Sequence, residues 1–155
     1  MMRKRSKARE YALQILYQAD LRRGEMEEIV GAFWEQFLPP SEVRTFAEQL
    51  VRGTLGHLSE IDGLIASYAN NWSLKRMGVV DRNILRLGTF ELRFSEEVPP
   101  KVSINEAVEL AKRFGDAESG KFVNGILDAV HKSVAPRAAQ PLSGQDQATG
   151  EGGGA

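Results

Sequence analysis

The chain has 155 residues, of which 42% are hydrophobic and 26% charged, which is typical of one globular domain with a sizeable core. It has no cysteine, which excludes disulfides and thiolate metal sites, and His57 and His131 are too far apart to suggest zinc. The net charge is only −1, yet residues 1–9 hold five cations and no acid, so the remainder is acidic. Such a basic segment is typical of nucleic-acid or membrane-surface binding.

The segment after the basic start does not have the pattern of a signal peptide. Its apolar residues are interrupted by Glu10, Gln14, Gln18 and Asp20, whereas a signal peptide needs an unbroken apolar stretch. No window of the chain reaches the length of an apolar membrane span. We therefore expect a soluble, cytoplasmic protein that uses neither a membrane nor a metal or cofactor.

Helical periodicity runs through the chain to about residue 135, and no segment has the alternation of a strand. The sequence thus predicts an all-α domain over residues 1–135, with about seven helices. The tail at 136–155 is rich in Gly, Pro, Ala and Gln, which predicts disorder. The predicted helices cover residues 7–24, 25–38, 43–68 (one helix, or two with a bend at Gly53 and Gly56), 79–94, 103–115 and 117–135.

Local signals refine three of these helix ends. Ser41 is expected to be an N-cap, and the S-x-x-E pattern from Ser103 to Glu106 predicts a capping box. Gly115 is expected to end the helix before the last one.

Residues 115–122, GDAESGKF, differ from a nucleotide-binding P-loop in having Phe122 at the position of a Ser or Thr. A P-loop follows a strand and needs that hydroxyl for Mg²⁺, whereas here a helix precedes and Phe has no ligand atom. The sequence favours a corner between two helices over a damaged ATPase site. Lys121 at the new helix start would suit a phosphate and the Phe122 ring a base, although Phe122 also fits an ordinary core boundary.

The first helix carries a second set of candidates. Arg5 and Arg9 are four residues apart and share a helix face, with Tyr17 about 80° from Arg9. Cations flanked by an aromatic ring suit single-stranded nucleic acid, although a solvated helix with a core Tyr17 explains the same pattern.

Other charged and aromatic residues have simpler interpretations. Arg82, Arg86 and Arg93 are expected to be solvated and paired with nearby acids, and Trp34 and Trp72 to be core or rim residues. No pattern of a catalytic triad or carboxylate pair is present, and we predict that the chain is not an enzyme.

Three segments together resemble one known family. RSKAREYALQILYQAD near the start, VVDRNILRLGTFEL in the middle and VSINEAVELAKRFGDAESGKFVNGILDAV near the end are similar to the transcription antitermination factor NusB family. The resemblance implies two small helical subdomains and a non-enzymatic role in the RNA polymerase antitermination complex. It also implies that the protein pairs with NusE, a ribosomal small-subunit protein, and binds boxA RNA in ribosomal RNA leaders. The same module occurs fused to an RNA methyltransferase domain, for which this chain is too short.

The resemblance also implies site residues. The NusE surface would include Asp81, with Lys75 and Arg76 nearby, whereas Glu118 beside the RNA surface departs from what phosphate binding favours. The RNA-binding residues would be Arg3, Lys4, Arg5, Lys7, Arg9, Tyr17, Lys121, Phe122 and Asn124.

Two alternatives remain open at this stage. The chain could be a helical protein–protein adaptor or a homo-oligomeric module without direct RNA binding. A homodimer that buries the basic segment would act as an inactive state.

Overall fold

The computed structural model describes residues 2–22, 24–70 and 72–133, apart from the side chains of Met2 and Arg3. Over these ranges the chain forms seven α-helices and one 3-10 turn, Leu74–Arg76, and no strand, so the predicted all-α class is confirmed. The predicted disordered tail at 136–155 lies outside the described residues. The helices are α1 Met2–Arg22, α2 Met26–Gln36, α3 Ser41–Gly56, α4 Leu58–Tyr68, α5 Val79–Phe94, α6 Pro100–Phe114 and α7 Ser119–Ser133.

The break between α3 and α4 falls at His57, so the alternative of two helices with a bend is the correct one. The Nδ1 atom of His57 lies 3.0 Å from the carbonyl oxygen of Gly53, and its ring stacks on Phe94 at 3.9 Å between centroids. These contacts hold the corner against α5.

The predicted caps at Ser41 and Ser103 are wrong. Pro40 is the N-cap of α3, and Ser41 is its first helical residue. Helix α6 begins at Pro100, because proline suits a first turn that needs no amide donor, and Ser103 therefore lies inside the helix and is buried.

Helix α5 is the central element and contacts α1, α3, α4, α6 and α7. Its side chains Ile84, Leu85 and Leu87 are almost completely buried, and they join the α1–α3 group to the α4–α7 group through one apolar core. Burial of this stripe follows from the helical period of the apolar residues.

Gly88 lets α7 approach α5 closely. A Cβ atom at this position would lie 2.7 Å from Cδ1 of Leu127, which is fully buried. We expect Gly88→Val to lower the free energy of unfolding by about 1–3 kcal/mol through overpacking. Gly63→Val is the matched control, since nothing lies within 4 Å of its Cβ position. Chemical denaturation of both variants measures the difference, and equal stabilities would contradict the close approach.

Candidate nucleic-acid interface

The basic segment is not a loose arm but the first two turns of α1. Lys4, Arg5 and Lys7 are exposed on this helix. Each has an acidic partner: Lys4 Nζ lies 2.7 Å from Glu42, Arg5 Nη2 3.1 Å from Glu97, and Lys7 Nζ 3.4 Å from Glu10. The cations are thus accessible, held in defined positions and partly neutralised. The side chain of Arg3 lies outside the described residues.

Arg9 differs from these three cations because it is only 3% exposed. Its Nε and Nη2 atoms donate to the two carboxylate oxygens of Glu91 at 2.7 and 2.8 Å, and Ser103 Oγ donates to the same carboxylate at 3.0 Å. The expectation that Arg9 shares a solvent-facing track with Arg5 is therefore corrected. Its charge is used inside the protein, where it ties α1 to α5 and α6.

The ring of Phe46 in α3 packs against Arg5. The guanidinium of Arg5 lies 4.4 Å from the centre of this ring, within the range of a cation–π interaction. Together with Glu42 and Glu97, the ring lines an open cleft of about 780 Å³ between α1, α3 and the segment after α5. We call this cleft the arm seat.

The end of α6 connects the basic start of α1 with the start of α7. Glu10 of α1, which pairs with Lys7, also pairs with Arg113 of α6. The neighbouring Lys112 is exposed, and its Cγ lies 3.2 Å from where a Cβ of Gly120 would be. Cationic side chains thus extend from α1 across α6 to α7.

Lys112 and Arg113 are candidate site residues that the sequence analysis missed. Basic residues in the last turn of a helix are usually explained by their favourable interaction with the helix dipole. That explanation does not predict that these two residues lie between α1 and α7. The spacing within α6 alone gave no signal of that position.

The stretch GDAESGKF forms the corner between α6 and α7. Gly115 ends α6 with extended backbone rather than a left-handed cap. Asp116 then supports the start of α7, since its Oδ1 accepts from the amide of Glu118 at 2.9 Å and from Ser119 Oγ at 3.1 Å. The P-loop alternative fails here, because a helix rather than a strand precedes this corner. The helix start lies two residues later than predicted.

Lys121 and Asn124 are exposed near the start of α7, and Phe122 between them is half-buried. The Phe122 ring packs on the core with one side and meets Trp72 edge to face, at 6.3 Å between centroids and 73° between planes. Trp72 is 54% exposed, so it is a rim residue rather than a core one. We call these two rings the ring pair. The sequence analysis did not predict this contact, because Trp72 and Phe122 are far apart in the chain.

The ring pair borders a small pocket of about 260 Å³ that contains the expected NusE residue Asp81. Asp116 and Glu118 line the same pocket, so its polar groups are acidic. Lys75 and Arg76 lie exposed on the adjoining 3-10 turn. The residues expected for the two partners therefore meet at Phe122.

Tyr17 lies further along α1 and is 39% exposed. One turn later, Asp20 accepts hydrogen bonds at 2.9 Å from both Arg82 and Asn83 of α5. Burial by itself would raise the pKa of Asp20, but these hydrogen bonds and the positive charges of Arg82 and Arg86 outweigh it and hold that pKa below its usual value.

Arg82, Arg86 and Arg93 are paired with acids, as expected. Arg86 binds Asp62 through two nitrogens at 2.9 and 3.0 Å, and Arg93 lies 3.6 Å from Glu60. Arg82 and Arg86 are, however, largely buried rather than solvated. They hold α1 and α4 on α5 and do not belong to the exposed basic surface.

Within residues 2–22, 24–70 and 72–133, no cluster of three or more His, Asp or Glu side chains is arranged to hold a metal ion. None of the helices in the same ranges is long and apolar enough to cross a membrane.

Comparisons with known proteins show the family of this chain. A transcription antitermination protein NusB from Syntrophus aciditrophicus is 44% identical over 86% of this chain and 83% of its own length. The solved structure of T. maritima NusB is 42% identical and covers 86% of this chain and 94% of that one, with a TM-score of 0.80. A crystal structure of the antitermination factors NusB and NusE in complex with dsRNA is 36% identical over 86% of this chain and all of that one, with a TM-score of 0.79. The NusB family description matches residues 6–132, and the chain belongs to that family.

Proposed function

We propose that this chain is an RNA-binding transcription antitermination factor that acts with a NusE-type ribosomal protein on boxA RNA in ribosomal RNA leaders. The observation that carries the proposal is the exposed basic surface that runs from α1 across α6 to α7 and ends at the ring pair. Relatives named as antitermination factors, one of them in complex with NusE and dsRNA, support the same conclusion.

In this proposal the basic residues contact phosphate and the rings contact bases. Lys4, Arg5 and Lys7 supply exposed cations at one end, and Lys121 supplies one near the start of α7. Helix starts favour anions, because their amide groups and dipole are positive. The exposed side of the Phe122 ring offers a surface on which an unpaired base can stack, and Asn124, two residues further along α7, offers hydrogen bonds.

The NusE-type partner is proposed to bind beside the ring pair. Asp81, Lys75 and Arg76 form a mixed-charge surface there, and its acidic pocket suits a basic side chain of a protein better than a phosphate. This placement would put the partner and the RNA side by side at the ring pair. Contacts from both proteins to the same RNA would then explain why the pair binds RNA more strongly than either protein alone.

The remaining parts of the proposal follow from the family. The helical domain over residues 1–135 carries the binding surfaces, the protein has no catalytic activity of its own, and it works in the cytoplasm within the RNA polymerase complex.

The experiment that tests this function is an RNA titration with labelled boxA-type single-stranded RNA. It is done with this protein, with the NusE-type protein and with the pair, and a duplex RNA serves as competitor because one solved relative contains dsRNA. We expect the pair to bind more tightly than either protein alone. Equal, weak binding in all three titrations would overturn the proposal and favour a simple adaptor.

Arg5→Ala is expected to weaken RNA binding by this pair and to lower the slope of log K against log salt by about one unit, since one phosphate contact is lost. Arg52→Ala is the matched control, because Arg52 is an equally exposed, acid-paired arginine on α3. Titrations at several salt concentrations measure both. An unchanged slope for Arg5→Ala would remove the start of α1 from the proposed RNA surface.

A further inference from the structure

We propose that Glu42 and Glu97 compete with RNA phosphate for the cations of α1 and thereby set the RNA affinity of this protein to a lower value than the basic segment alone would give. The inference rests on the proposed function and adds two residues that regulate it. Both acids lie outside the segments that carry the basic surface, in α3 and in the connection before α6.

In the arm seat, Lys4 and Arg5 donate hydrogen bonds to carboxylate oxygens, which are anionic acceptors like the oxygens of a phosphate. Lys4 Nζ donates to Glu42 Oε1 at 2.7 Å, and Arg5 Nη2 donates to Glu97 Oε1 at 3.1 Å. The hydrogen bond from Lys4, together with its charge, lowers the pKa of Glu42 below its usual value and so favours the ionised carboxylate further. A phosphate that approaches these nitrogens meets an oxygen anion already in place.

The two pairs contribute little to the fold. The side chains of Glu42 and Glu97 are 72% and 70% exposed, and pairs at such positions stabilise proteins by at most about 1 kcal/mol. Their effect on RNA binding is expected to be larger than their effect on stability, because each carboxylate both occupies a hydrogen-bond donor and repels the RNA backbone. This repulsion is screened at high salt, since charges on the surface interact over about 10 Å at 0.1 M.

Removing the charge of these acids would leave α1, which carries both cations, in place. The Arg5 guanidinium remains over the Phe46 ring at 4.4 Å, and the helix that carries both cations stays anchored by the buried pair of Arg9 and Glu91. Glutamine at position 42 or 97 therefore removes a negative charge from beside Lys4 or Arg5, while the helix that carries both cations stays in place.

The test compares Glu42→Gln, Glu97→Gln and the double variant with Glu96→Gln. Glu96 is an exposed neighbour of Glu97 with no ion pair among the described residues, so its variant changes the net charge equally. With boxA-type RNA and the NusE-type partner, we expect each of the first two substitutions to tighten binding by about twofold to fivefold near 0.1 M salt. The gain over Glu96→Gln should shrink as salt is raised to about 0.5 M.

The outcomes separate the two proposals. If the double variant binds no more tightly than Glu96→Gln at any salt, or binds more weakly, Glu42 and Glu97 are not competitors, while wild-type binding still supports the RNA function. If the wild-type pair does not bind RNA, both proposals fail. Thermal unfolding of each variant confirms that tighter binding comes from a folded protein.

Discussion

Replacing Arg9 with alanine lowers the free energy of unfolding by about 3–5 kcal/mol, the largest stability effect that we expect in this protein. The reason is that the substitution leaves the Glu91 carboxylate, which is only 1% exposed, without the guanidinium that donates to both of its oxygens. Removal of the cation that is paired with a buried carboxylate costs far more free energy than removal of an exposed pair. Urea denaturation followed by circular dichroism measures the loss.

Two further variants test the cause of this loss. Arg5→Ala removes an arginine from the same face of α1, but Arg5 is exposed, so a change of at most about 1 kcal/mol is expected. The double variant Arg9→Met/Glu91→Leu replaces the pair by apolar side chains and should recover much of the stability. If Arg9→Ala is no more destabilising than Arg5→Ala, the buried pair does not hold α1 to α5.

Replacing Phe122 with leucine weakens boxA-type RNA binding by about 1–3 kcal/mol, the value of one stacked base. Leucine preserves most of the contact between Phe122 and the core but lacks the flat ring that faces outward beside Trp72. We expect this variant to fold normally and to lose affinity for RNA with unpaired bases. The measurement is an RNA titration with the NusE-type partner present.

Phe37→Leu is the matched control for this prediction. Phe37 is also half-buried, but it packs on Tyr11 and Phe33 in a separate aromatic cluster after α2. Its replacement should leave RNA affinity unchanged. A folded Phe122→Leu protein that binds RNA like the wild type would exclude base stacking at this position and leave Phe122 as a residue of the core boundary.

The helices that agree best with their predictions are those whose evidence is entirely local. Helix α5 covers residues 79–94 as predicted, because its apolar residues repeat with the helical period and glycine or polar residues flank both ends. The starts of α6 and α7 differ from the prediction by three and two residues. Helix α6 begins at Pro100 rather than at the predicted Ser103. Helix α7 begins after Asp116, whose side chain accepts a hydrogen bond from the amide of Glu118 and so delays the start that was predicted soon after Gly115.

For the candidate site, the sequence likewise predicted the properties that depend on a single helix. Exposure of Lys4, Arg5, Lys7, Lys121 and Asn124 agrees with the sequence analysis, because each lies away from the apolar face of its own helix. Their proposed roles in RNA binding stay predictions.

The sequence by itself determined the helical class, the concentrated positive charge of α1 and the rejection of a P-loop at GDAESGKF, since each depends on residues that are neighbours in the chain. Only the tertiary structure decided which charges remain available to a ligand. Arg9 meets Glu91 across 82 positions and is buried, whereas Arg5 meets Glu97 across 92 positions and stays exposed. The two arginines have the same charge and share a helix face. The packing of α5 and α6 against α1 buries Arg9 in an ion pair that joins the helices and leaves Arg5 exposed, where it is available for its proposed contact with RNA.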